Sequence, residues 1–169
     1  MKYLLIAISI IFLLLPTSVW SVPAGWRFPN QNDIIGEWAQ HRDKLSAPYH
    51  IEADFNLDGT VDDIWLLIKQ NKKGWGLFAF ISSESGKPFI VKIRESLEEA
   101  PQDRGILYIK PGSFQNTACG LGIPKCYPGD AYQLMTEKPT FEFFRYEGGN
   151  IFYTWNAEKM TFVRDTLED

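Results

Sequence analysis

From residue 49 onward the apolar side chains fall in short runs rich in Tyr, Phe, Trp, Ile and Val, separated by Gly, Pro, Asn and Asp. That texture predicts β-strands over 49–54, 63–69, 75–82, 89–94, 106–110, 140–146, 151–155 and 161–164. Asn71-Lys72-Lys73-Gly74 and Glu147-Gly148-Gly149-Asn150 read as hairpin turns, because Asn and Gly tolerate the positive φ that such turns require. Alternation along 75–82 places Trp75, Leu77, Ala79 and Ile81 on one face and Phe78 and Phe80 on the other. Both faces are apolar, so this run belongs in the middle of a covered sheet. Ahead of the β region, residues 30–45 offer capping side chains, acids near the start, bases near the end, and Ile34, Ile35, Trp38 and Leu45 at helical spacing. One amphipathic helix is predicted there, with Gly36 as its weak point. The expected fold class is α+β, mostly β: an antiparallel sheet or sandwich with one N-terminal amphipathic helix.

The beginning of the chain has a different character. A single cation, Lys2, precedes an apolar run over 4–15 interrupted only by Ser9, followed by Pro16 and small residues. This pattern predicts a secretory signal peptide over 1–21. The run is too short to cross a bilayer as a helix, which takes about 20 apolar residues. Stable membrane insertion after cleavage is therefore not expected. The remainder, 22–169, has a suitable length for a single β-rich domain, and the expected location is periplasmic or secreted. Losing Lys2 shifts the formal charge from −4 to −5, which argues against nucleic acid as a partner. Two cysteines, Cys119 and Cys126, are expected to form a disulfide in an oxidising compartment.

Chemistry concentrates in one segment. Asp54-Phe55-Asn56-Leu57-Asp58-Gly59-Thr60-Val61-Asp62-Asp63 packs four carboxylates and an amide into ten residues. Counting from Asp54, oxygen-bearing side chains stand at positions 1, 3, 5 and 9 (Asp54, Asn56, Asp58 and Asp62), Gly59 takes the sharp turn, and Thr60 offers a carbonyl. Hard oxygen donors in that register suit Ca²⁺. The metal set predicted is Asp54, Asn56, Asp58, Thr60 and Asp62, with Asp63 as a spare ligand or an outer support. Position 12 is Trp65 where an EF-hand places a bidentate Glu, and β patterns flank the loop, so a calcium loop between two strands is the expectation.

The run over 51–80, with its D-F-N-x-D-G-x-x-D loop, its hydrophobic strand and its Trp-containing strand, resembles a group of small exported proteobacterial proteins. Pro111, Gly112, Phe114, Cys119, Gly120, Cys126 and the Phe152-Tyr153-Thr154-Trp155 strand extend the likeness. The segment Leu121-Gly122-Ile123-Pro124 departs from it. The resemblance implies export, a β fold and a disulfide-tied loop, and no activity comes with it.

Other chemistry is thin. His41-Arg42-Asp43 lacks the Gly-rich loop and strand lysine of a kinase, and no G-x-S-x-G accompanies either histidine. His50 is expected to make a structural hydrogen bond near Asp54. Asp62 and Asp63 point to opposite faces of a strand, which disfavours them as a hydrolytic pair. Tyr127 and Tyr132 stand out as surface candidates. The function expected is a non-catalytic binding protein with a structural calcium loop, an inhibitor or immunity protein against a cell-envelope enzyme or toxin, its partner another protein. The alternatives are an envelope polysaccharide hydrolase using paired carboxylates, or a structural envelope component.

Overall fold

The computed structural model describes residues 21–42, 47–70, 73–83, 87–116 and 133–164. Residues 1–20 of the predicted signal peptide, Cys119, Cys126, Tyr127 and Tyr132 lie outside the described residues. Within them the chain forms β1 (Trp26–Arg27), β2 (His50–Ala53), β3 (Asp62–Lys69), β4 (Trp75–Ile81), β5 (Phe89–Ser96), β6 (Arg104–Ile109), β7 (Phe114–Asn116), β8 (Gln133–Met135), β9 (Thr140–Arg145), β10 (Asn150–Asn156) and β11 (Thr161–Arg164). All eight predicted strands are present, and every pairing is antiparallel.

Two sheets carry the domain. In the first, β3 pairs β4 along one edge and shares its other edge between β2 and β1, while β5 flanks β4. In the second the order is β11-β10-β9-β6, and β7 and β8 form a separate ribbon. The sheets enclose a common core in which Ile64, Leu66, Trp75, Leu77, Ala79 and Ile81 meet Ile106, Phe141, Phe143, Tyr153 and Phe162. Trp75 lies against Phe143 with ring centres 5.0 Å apart. At one margin the Ile106 amide donates to Pro48 O, just ahead of β2 (2.8 Å), and at the other β5 runs beside β11.

Strand β4 is buried along its whole length, as its two-faced apolar pattern requires. Its second face, with Phe78 and Phe80, joins Leu67 and Trp65 under a small separate core. The predicted helix does not provide that cover. Residues 22–28 do, through Val22, Trp26 and Phe28, with Phe28 edge-on to Trp65 at 4.6 Å.

The expectation of one amphipathic helix over 30–45 needs correction. Gln31–Asp33 and Gly36–His41 are two separate 3-10 segments, and residues 43–46 lie outside the description. Gly36 sits at φ 56, in the left-handed region, which breaks a right-handed helix. The carbonyls an α-helix would use are also taken by tertiary partners: Gln102 donates to Asp33 O (3.0 Å) and Arg42 to Ile34 O (2.8 Å). The Trp38 amide accordingly turns to Ile35 O (3.2 Å). The apolar pattern still does its packing, since Ile34 and Trp38 enter the main core and the Trp38 indole donates to Arg104 O (2.7 Å). No α-helix occurs among the described residues.

The N-terminal cover is fastened by a two-bond clamp in which Arg27 donates to both oxygens of Asp33 (2.6 and 2.7 Å), while the Asn30 amide donates to the same carboxylate (2.7 Å). The Arg27 hydrogen bond, opposed by partial burial, holds the Asp33 carboxyl below the usual range. A depressed folded-state value stabilises the fold above the unfolded value near pH 4, and that contribution is lost as pH falls through the folded value. Asp33→Asn should therefore cost about 1 kcal/mol in urea melts at pH 7, a figure discounted for the exposure of Arg27. The gap from wild type should close as the pH falls below the unfolded carboxyl's value near 4 and through the lower folded one.

Candidate functional site

The acidic segment is the loop between β2 and β3, and its backbone is shaped by its own side chains. Asp54 Oδ1 accepts the Asp58 amide (3.1 Å) and Oδ2 the Gly59 amide (2.9 Å). Asn56 Oδ1 accepts the same Asp58 amide (3.0 Å), and its Nδ2 donates to Asp58 Oδ2 (3.1 Å) and Ser82 O (3.4 Å). Asp58 Oδ1 accepts the Thr60 amide (2.9 Å) and the Thr60 hydroxyl. Gly59 adopts φ 89 with open space around it, so the left-handed backbone, not crowding, calls for glycine. Four of the predicted ligands, Asp54, Asn56, Asp58 and Thr60, thus belong to one hydrogen-bonded turn.

The fifth lies beneath them. Asp62 is fully buried; its Oδ2 accepts the Phe55 amide (3.0 Å) and its Oδ1 the Ser82 amide (2.9 Å). Burial pushes its carboxyl up to about 6, against the pull of the Ser82, Phe55 and Asn56 amides, and the nearby Asp58 charge adds to the rise. Phe55 drops into the main core at 1% exposure, edge-on to Phe141 and Phe162 at 5.9 and 5.7 Å. The loop is therefore nailed down at both ends of its span, by an aromatic plug and by a carboxylate. Each carboxylate has about four acceptor positions, and the two amide bonds to Asp54 leave oxygen lone pairs of that side chain to face a hard cation.

A second cluster lies on the opposite face of β3. Asp63 Oδ1 is 2.7 Å from His50 Nε2, and Glu52 Oε1 is 3.6 Å from the same nitrogen. The imidazole lies flat on Trp65, with centres 3.7 Å apart and planes 15° apart. Cross-strand register produces the group, pairing Glu52 with Asp63 and His50 with Trp65. Its ligand atoms lie within 4.8 Å of one another. The sequence reading placed the His50 hydrogen bond near Asp54. The partner is Asp63, and the signal lay in the alternation of His50 and Glu52 against Asp63 and Trp65 once the strands were paired. Asp62 and Asp63 do face opposite ways, Asp62 into the protein and Asp63 to the outer face.

The neighbouring aspartates should respond very differently to truncation. Asp62→Ala strands two buried amides and should lower stability by about 2–4 kcal/mol, whereas Asp63→Ala removes a partly exposed contact and should cost about 1 kcal/mol or less. Urea melts in the presence of a chelator check the ranking without any contribution from metal.

No protein-family model matches the chain, and no solved structure matches it significantly. Among curated proteins, the mouse (Mus musculus) [F-actin]-monooxygenase MICAL3 is similar at 27% identity over 105 residues, covering 57% of this chain and 5% of that protein. The chain spans a small fraction of that relative, and the activity in its name belongs to the larger protein.

Proposed function

We propose that this protein is an exported, non-catalytic binding protein whose β2–β3 loop takes a structural calcium ion and whose partner is another protein. In its sharpest form the role is that of an inhibitor or immunity protein acting on a cell-envelope enzyme or toxin. The observation that carries the reading is the gathering of Asp54, Asn56, Asp58 and Thr60 into one turn seated on Asp62. A cation among those oxygens would offset the repulsion between the loop carboxylates. Its effect is on order in the loop, because the Phe55 plug and the Asp62 seat already fix both sheets beneath it.

The carboxylates that a polysaccharide hydrolase would need have other partners. Asp63 bonds His50, Glu99 bonds Arg104 and Glu142 accepts from Asn150 (2.9 Å). A rigid sheet carrying loops is the usual platform for recognition, and this disposition of acids favours binding over hydrolysis.

With a Kd of about 0.1–1 mM, as in extracellular calcium modules, 1 mM Ca²⁺ should stabilise the fold by ~0.4–1.4 kcal/mol. Thermal melts in Ca²⁺, Mg²⁺ and EGTA should show a calcium-specific rise that Asp58→Asn removes. Melts insensitive to Ca²⁺ at ten times that concentration would refute the metal assignment. For the partner, the purified protein coupled to a matrix should retain an envelope hydrolase or secreted toxin from extracts and suppress its activity. Recovery of no such enzyme would remove the inhibitor reading.

A further inference from the structure

At the end of the core away from the calcium loop, the sheets part around a small cavity of about 90 Å³ whose lining includes Trp75, Arg94, Glu99, Arg104, Phe143 and Arg145. Three guanidiniums from three strands converge there in a chain whose formal charge is −4. Arg104 and Arg145 stand directly opposite each other across β6 and β9, an arrangement of like charges that costs stability. Arg94 comes from β5, at its pairing with Leu77. Among the described residues no carboxylate pairs with Arg94 or Arg145, and both are exposed. The buried Nε of Arg104 has no acceptor among them either.

The site already holds one carboxylate of its own. Glu99 Oε1 accepts from Arg104 Nη2 (2.6 Å) and Oε2 from the Trp75 indole (3.2 Å). Burial opposes its ionisation, but Arg104, with help from Trp75 and Ser96, outweighs that and holds the carboxyl below its usual range. The Arg104 guanidinium is also backed by the rings of Trp75 (5.6 Å) and Phe143 (6.0 Å), which fix its plane. Among the described residues one internal acid faces three arginines at this cavity, which leaves two positive charges unmatched.

We propose that this cavity is a carboxylate-binding site, in which a ligand carboxylate is held between Arg94 and Arg145 beside the Glu99–Arg104 pair. Guanidinium forks match the planar, two-oxygen geometry of a carboxylate, and the small volume admits that group and little beyond it. The proposal is independent of the calcium reading, since the two sites occupy opposite ends of the core. The carboxylate can come from a free small acid or from an acidic side chain of a protein, and the test separates these sources.

The probes are acetate, N-acetylaspartate and an Asp/Glu hexapeptide, with inorganic phosphate for comparison, each titrated into the full chain at low salt. The readout is the NMR signal of the Trp75 indole N–H, identified by its loss in Trp75→Phe. A saturable shift with Kd on the order of 1–10 mM or tighter is expected for the carboxylates. It should weaken about ten-fold or more in R94Q/R145Q, a variant that should melt no lower than wild type because it removes like charges. Glu99→Gln, which frees Arg104 from its internal partner, should tighten binding. A hexapeptide bound about ten-fold tighter than acetate assigns the carboxylate to a protein partner, and equal affinities assign it to a free acid. An unchanged shift in R94Q/R145Q, no saturable shift in wild type, or phosphate bound ten-fold more tightly than every carboxylate would overturn the proposal.

Discussion

The architecture hinges on the carboxylate of Asp62. It is buried with no cationic partner among the described residues and is held by amides from two separate places, Phe55 in the β2–β3 loop and Ser82 just past β4. A buried acid of this kind survives only where donors are fixed around it. Those donors come from the loop and from the end of the neighbouring strand, so Asp62 makes the loop part of the sheet. Phe55, one residue into the loop, then completes the join by entering the aromatic cluster of the second sheet. One polar seat and one apolar plug convert an acidic turn into a rigid corner of the domain.

The two ends of the core thereby acquire opposite characters. At the Asp62 end, carboxylates gather around backbone amides. At the far end, arginines gather around aromatic rings and a single glutamate. Between them lies a core continuous from one sheet to the other, too closely packed for either cluster to relax into it. The N-terminal segment serves both layers: Trp26 and Phe28 cover the outer face of β4, while Ile34 and Trp38 reach the inner core. The Arg27–Asp33 clamp lies between these two anchor points.

Much of this was legible in the order of residues. A strand buried on both faces must be apolar at every position, and 75–82 announced itself that way. Period-two alternation predicted that Asp62 and Asp63 would face opposite ways, and Gly59 marked the sharp turn of the acidic loop. Strands β1, β7 and β8 were missed because two or three residues carry too little periodicity to register. The helix over 30–45 was misread because propensity and apolar spacing are averages over the segment, whereas Gln102, which captures the Asp33 carbonyl, acts through the fold.

The sequence by itself therefore determined the strands, the two apolar faces of β4 and the glycine turn of the acidic loop, because each follows from spacing within a few residues. Only the tertiary structure decided that His50 pairs with Asp63, that Asp62 becomes a buried seat, that residues 30–42 form 3-10 turns, and that Arg94, Arg104 and Arg145 share one cavity. Most of those relations join residues on separate strands or loops, and strand register, which no local pattern encodes, brings them together.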